Sequence, residues 1–266
     1  MRSPLSLSGD RKTTPLMRTK PSGGADVKVR NAFGLPAGLS CPGETPFCDG
    51  CYAKNVERTF SSAKALVQRN YDALVAAAGT NGGDVGAMTD LLEALMQEYL
   101  REAERHAVPL AFRVHWDGDF YSVPYAEAWR NVILGHPEVA FWCYTRSFTP
   151  ECDVVPALRG LPNLTLYLSV DRWNAEQAQL VLARDPWVLL AFCDDTQAGA
   201  AEGAQVLRGH NVPACPENVK RSPLVVNMSG RRTDPVAKGD LAQGACTACR
   251  LCIDGVADVR FAIAKR

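Results

Sequence analysis

Six of the ten cysteines fall into two tight sets of three, and thiols so spaced bind soft metal centres. The C-terminal set reads Cys246-x2-Cys249-x2-Cys252, the spacing by which bacterial ferredoxins grip three irons of a cubane cluster. Cys215, followed by Pro216, is the natural fourth ligand. Zinc also takes four thiolates, but its structural sites usually use two separated Cys-x2-Cys pairs. The N-terminal set, Cys41-x6-Cys48-x2-Cys51, has no fourth cysteine beside it. Three ligands leave one coordination position open, and an open position separates a reactive metal centre from a structural one. Cys143, Cys152 or Cys193 would instead close that position by folding over it. Cys143 and Cys193 lie in apolar runs, where a free cysteine is ordinarily core packing.

Disulfides are a poor account of these cysteines. No stretch approaches the roughly 20 apolar residues that span a bilayer, and no signal-peptide core opens the chain, so a reducing cytoplasmic setting is expected. Lys plus Arg and Asp plus Glu stand at 29 each, so net charge indicates neither a nucleic-acid nor a membrane partner. With 266 residues and 47% hydrophobic content, the chain can bury one large α/β core with an appendage. The expected division is a flexible arm over 1–26, a β/α core carrying the first cysteine loop over 27–210, and a small cysteine-rich module over 211–266.

The elements that must position the thiols follow from apolar periodicity. Strands are predicted near 27–35, 109–115, 139–145, 164–170 and 187–193. Two amphipathic helices lie on either side of a Gly/Asn-rich break at 79–86, and further helices are expected near 124–134 and 174–184. Pro124 suits a first helical turn, and Asn174 with Gln177 resembles a capping box. Alternation every 25 to 30 residues predicts parallel strands joined by helical crossovers, a complete or partial β/α barrel.

In such folds reactive groups collect at the carboxyl ends of the strands. Those ends carry Asp117, Gly118 and Asp119, then Arg146 and Ser147, then Ser169 and Asp171. The alternative for Asp117 and Asp119 is helix capping, and for Arg146 an ion pair. His115 is a candidate of the same kind, though a lone strand-end histidine is ordinarily structural. Trp116, Phe120, Tyr121 and Tyr144 could stack on a ligand ring or simply pack. Lys220-Arg221 and Arg231-Arg232 could meet phosphate or merely solubilise a loop.

Leu35-Pro36-Ala37-Gly38, Cys41-Pro42, Cys48 and Cys51-Tyr52-Ala53 resemble the opening of the actinobacteriophage gene product 88-like family. Arg113-x-His115-x-x-Gly118-Asp119-Phe120-Tyr121-Ser122, Tyr125, Trp129, Tyr144-Thr145-Arg146-Ser147 and Cys215-Pro216-Glu217 extend the likeness over about 31–263. More distantly, a three-cysteine loop after the first strand of a β/α repeat is similar to the radical S-adenosylmethionine (SAM) superfamily, which usually spaces its cysteines C-x3-C-x2-C. That likeness implies a [4Fe-4S] cluster on Cys41, Cys48 and Cys51 whose open iron takes SAM, and an auxiliary [4Fe-4S] cluster on the C-terminal set. It further implies a flavodoxin- or ferredoxin-like electron donor. Asp117, Gly118 and Asp119 would then receive the SAM amino group, and Arg146, Ser147, Ser169 and Asp171 its carboxylate and ribose. Two other classes stay open: a cluster-stabilised phage protein that binds nucleic acid or a host protein, and a structural zinc protein.

Overall fold

The structure, a computed structural model, describes residues 3–9, 17–18, 29–216, 241–242, 246 and 249–262. In chain order the elements are β1 (Met17–Arg18), β2 (Ala32–Gly34), α1 (Tyr52–Thr59), α2 (Ser61–Ala78), α3 (Val85–His106), β3 (Ala111–Asp117), α4 (Val123–Gly135) and β4 (Ala140–Thr145). They continue with β5 (Leu164–Val170), α5 (Ala175–Arg184), β6 (Leu189–Asp194), α6 (Gln197–Arg208), β7 (Leu241–Ala242) and β8 (Val259–Ala262).

Six strands form one parallel sheet in the order β2-β3-β4-β5-β6-β8, and β1 pairs with β7 as a separate antiparallel ribbon. Strands that add in sequence order, each by a crossover of the usual right hand, place all their helices on one face. The packing agrees. Phe112, Phe141, Cys143, Leu166, Leu190 and Phe192 face a large core shared with Leu74, Leu95, Trp129, Val181 and Ala204 of the helices. Trp142, Tyr144, Tyr167, Ala191 and Val259 face the other way, and among the described residues none from α1 to α6 joins them there.

The expected barrel is not closed: β2 and β8 are the two edges of an open sheet and do not pair. Ser8 bridges Ala32 in antiparallel sense outside β2, and Leu5 and Leu7 are buried. Asn70 on α2 fastens this segment, accepting from Ser6 N at 2.8 Å and donating to the Ser6 carbonyl at 3.1 Å. Part of the expected flexible arm therefore covers a sheet edge, which would otherwise offer unpaired backbone groups. On the helix-free face the cover is the C-terminal segment. Thr165 donates to Ile253 O at 3.0 Å, Tyr167 donates to Ala257 O at 2.7 Å, and Asp258 accepts from Leu190 N at 2.7 Å. The C-terminal cysteines thus lie against the strands themselves, and β8 completes the main sheet.

Local signals are mostly met. Ser122 accepts from Tyr125 N at 3.3 Å with Pro124 in the first turn of α4, and Asp84 accepts from Ala87 N at 2.9 Å to start α3. Asn174 is a correction. Its amide accepts from Asp171 N at 2.8 Å and donates to Ser169 O at 3.0 Å, so it binds the turn after β5 and makes no cap for α5. No described helix is long and apolar enough to cross a membrane.

Candidate metal and ligand site at the strand ends

The first cysteine loop folds down onto the carboxyl ends of β2 to β5. It is a run of tight turns, with Cys41 N donating to Gly38 O at 3.1 Å, Cys48 N to Thr45 O at 2.8 Å and Cys51 N to Cys48 O at 3.1 Å. Gly118 makes the seat possible. Its φ of +72° is left-handed, and a Cβ there would overlap Ser40 Oγ and the Leu35 carbonyl. Gly43 lies equally close to the Arg146 carbonyl. The far side of the loop is clamped by Thr45, whose hydroxyl donates to Asp171 Oδ2 at 2.6 Å and accepts from Arg146 Nη1 at 3.3 Å. Arg146 also pairs with Asp171 Oδ2 and lies 5.4 Å from the Phe47 ring centroid, so one guanidinium holds strand end and loop together.

Cys41, Cys48 and Cys51 share this loop and lie close enough that Cys41 and Cys51 feel the charge of the other thiols. Burial, then Asp119, pushes Cys41 up to about 12, and burial also raises Cys51. Such thiols stay protonated unless a cation replaces their protons, as a bound metal does. Sulfur-directed donors are in place: Gly38 N–H reaches Cys41 Sγ at 3.4 Å, and the first backbone N–H groups of α1 reach Cys51. Among the described residues, no three His, Cys, Asp or Glu side chains converge on one point at metal-ligating geometry. The donor chemistry nevertheless fits a thiophilic metal or cluster: three neighbouring thiols with N–H groups directed at two of them.

Behind the loop sits a buried carboxyl. Asp117 is 2% exposed, neither oxygen is met at full hydrogen-bond geometry, and its near polar neighbours are the Gly118 N–H and the Glu57 carboxyl. Burial, and next the charge of Glu57 on α1, push it up to about 8. The Trp116 indole N–H beside it is also buried without an acceptor. Asp119, two residues on, is its opposite. It accepts from Thr145 Oγ1 at 2.7 Å, Arg146 N at 2.6 Å and Phe120 N at 2.7 Å, and burial raises it only to about 6 against those bonds. Asp119 braces β3 against β4. It is neither the helix cap, which is Ser122, nor an open acceptor.

The remaining candidates separate similarly. Ser147 is fully buried and donates to Phe120 O at 2.7 Å, another brace. Asp171 is committed to Thr45, Arg146 and, at 2.8 Å, Trp173 N. Ser169 is half-buried beside Ala191. His115 turns toward the helices, because two residues of β2 span four of β3 and the irregularity re-aims the strand. Its Nε2 lies 3.0 Å from Tyr125 Oη, and burial holds the ring near 3, neutral at any physiological pH. His115, Phe120, Tyr121 and Tyr125 form one aromatic cluster in the helix-side core. Trp116 and Tyr144 alone among the proposed stacking residues lie outside it.

On the helix-free face, Cys215 and Cys252 pack with Tyr144, Tyr167 and Phe261. Cys252 feels the charge of Cys215 and Cys249, and Tyr144 that of Cys252 and Cys246, so the four thiols share one neighbourhood. Lys220, Arg221, Arg231 and Arg232 lie outside the described residues. Sequence reading missed Thr45 and Glu57: one is the loop's clamp, and the other sits on α1, a short polar helix in which Ala53 is the buried residue.

A family model described as gene product 88 matches residues 5–255. The Gene 88 protein of Mycobacterium phage L5 is 34% identical over 266 residues, covering 98% of this chain and 99% of that protein. The Gene 88 protein of Mycobacterium phage D29 is 32% identical with the same coverage. No solved structure matches. Cysteine loop, strand-end turn and C-terminal cysteines all lie within the matched span, and the chain belongs to the gene product 88 family of phage proteins.

Proposed function

We propose that this protein is an iron–sulfur enzyme of the radical SAM type. Cys41, Cys48 and Cys51 hold a [4Fe-4S] cluster at the strand ends, and Cys215, Cys246, Cys249 and Cys252 hold an auxiliary one. The observation that carries the reading is Asp117: a buried carboxyl paired with Glu57 beside a three-thiol loop, its oxygens met by no donor at full hydrogen-bond geometry, where an amino group chelating the open metal position would donate. The α-ammonium of an amino acid must shed a proton before its nitrogen can bind a metal. Asp117, near 8, matches the roughly 7.7–8.0 of an α-amino group, so at slightly alkaline pH, where it is ionised, it can take that proton.

The cluster's contribution when bound is one electron, which cleaves the sulfonium C–S bond of SAM to methionine and a 5′-deoxyadenosyl radical. The chain's own residues position the ligand. Arg146 offers its guanidinium edge to a carboxylate at the same strand ends, and Ser169 offers a hydroxyl one strand over. The segment over the helix-free face leaves the carboxyl ends as the approach for substrate. A flavodoxin- or ferredoxin-like partner supplies the electron.

The test is anaerobic purification followed by SAM binding to wild type and to Asp117→Asn. Binding by wild type that weakens at least about tenfold in the variant, with iron content unchanged, supports the reading. Iron-free protein that instead holds zinc, or equal SAM affinity in both, overturns it.

A further inference from the structure

An iron with three protein thiolates needs something on its fourth position before its ligand arrives. The described structure contains three cysteines besides Cys215 outside the two sets, and it sorts them. Cys143 and Cys152 are 0% and 8% exposed and belong to the core between sheet and helices. Cys193 is different. It shares its strand face with Leu189 and Ala191, which pack on the helix-free side, and it is half-buried at the carboxyl end of β6.

The register Val170↔Phe192 carries β5 and β6 forward to Asp171 and Cys193, side by side on neighbouring strands about 4.8 Å apart. Asp171 Oδ2 accepts from Thr45 Oγ1 at 2.6 Å, and the same hydroxyl lies 4.0 Å from Cys48 Sγ. Arg146 closes this corner, touching Thr45, Asp171 and Cys193 at once. Cys193 feels the charge of Cys48, whereas neither Cys143 nor Cys152 feels that of any thiol of the loop. The Cys193 thiol makes a long bond to Ala191 O, at 3.4 Å, lies within reach of the Arg146 guanidinium, and packs into no hydrophobic cluster among the described residues.

We propose that Cys193 is the resting fourth ligand of the centre held by Cys41, Cys48 and Cys51, a thiolate that the chelating ligand displaces. The inference rests on the iron–sulfur reading above and adds a gate to its open position. On ligation the Cys193 thiol releases its proton to water, and on displacement it takes one back, so no oxidant or reductant is involved. A bidentate amino-acid chelate replaces one sulfur donor with two donors, and the proton its amino group sheds goes to the departing Cys193 thiolate.

The test is peptide-resolved alkylation by mass spectrometry under anaerobic conditions, on metal-free protein, cluster-loaded protein and cluster-loaded protein with SAM. Cys143 serves as the reference for a thiol protected by packing alone. Cluster loading is expected to slow alkylation of Cys193 about tenfold together with Cys41, Cys48 and Cys51, and SAM to restore Cys193 alone. Cys193→Ala should retain the iron and show in its resting electron paramagnetic resonance (EPR) spectrum a site that wild type shows only after SAM displaces the thiolate. Protection of the three loop cysteines with Cys193 unchanged overturns the proposal and leaves the cluster reading standing. Protection of all four without release by SAM keeps Cys193 as a ligand but overturns its displacement, and with it SAM chemistry. Protection of none overturns both.

Discussion

Replacing Asp117 by Asn tests the site without any metal or ligand. A rise from an ordinary 3.8 to about 8, at about 1.4 kcal/mol per pH unit, amounts to about 6 kcal/mol as an upper bound. The sign follows from linkage. Below pH 4 folded and unfolded chains both hold the proton, and the buried carboxyl costs little. Between about pH 4 and 8 the unfolded chain ionises while the folded one stays protonated, so stability falls across that window and levels off above it. Asn carries no charge and escapes the penalty. Urea unfolding of metal-free wild type and Asp117→Asn from pH 4.5 to 8.5 should give curves that diverge with rising pH, the variant ending several kcal/mol more stable. Glu57→Gln should shift the wild-type fall to lower pH, because Glu57 contributes after burial to the raised value. Parallel curves for wild type and Asp117→Asn would refute the claim that burial holds Asp117 protonated.

Asp171→Asn leaves Arg146, its side chain only 11% exposed, without its counter-charge, and should cost about 3–5 kcal/mol in chemical denaturation. Gly118→Ala forces a left-handed residue to carry a Cβ into the cysteine loop, so iron content should fall by about half as the first site is lost and the C-terminal site kept, measured by iron assay and EPR. Tyr144→Phe removes a hydroxyl hydrogen-bonded to Cys252, and should lower the auxiliary cluster's reduction potential in a dye-mediated titration while leaving the first cluster's unchanged.

The sequence displays the clustered cysteines more openly than the site around them. Cysteine spacing is a local property, and so is the apolar run of a parallel strand: β4, β5 and β6 lie within two residues of their predicted ends. Helix α6 was not legible because Ala200 and Ala204 are its buried residues and alanine carries little periodic signal. Closure of the sheet was not legible either, since nothing local distinguishes a strand that pairs round a barrel from one that ends as an edge. Asp117 and Asp119 look alike in sequence. The left-handed Gly118 between them turns one onto the backbone of β4 and leaves the other buried beside α1, a distinction that only tertiary structure makes. Cys193 reads as core from its apolar run, but strand parity places it on the other face.

The central claim is two clusters, one of them able to bind SAM. Protein purified without oxygen would be assayed for iron and, after dithionite reduction, examined by EPR with and without SAM. The account predicts about eight irons per chain and a SAM-dependent change in one cubane signal. About four irons, or eight with spectra indifferent to SAM, would contradict it.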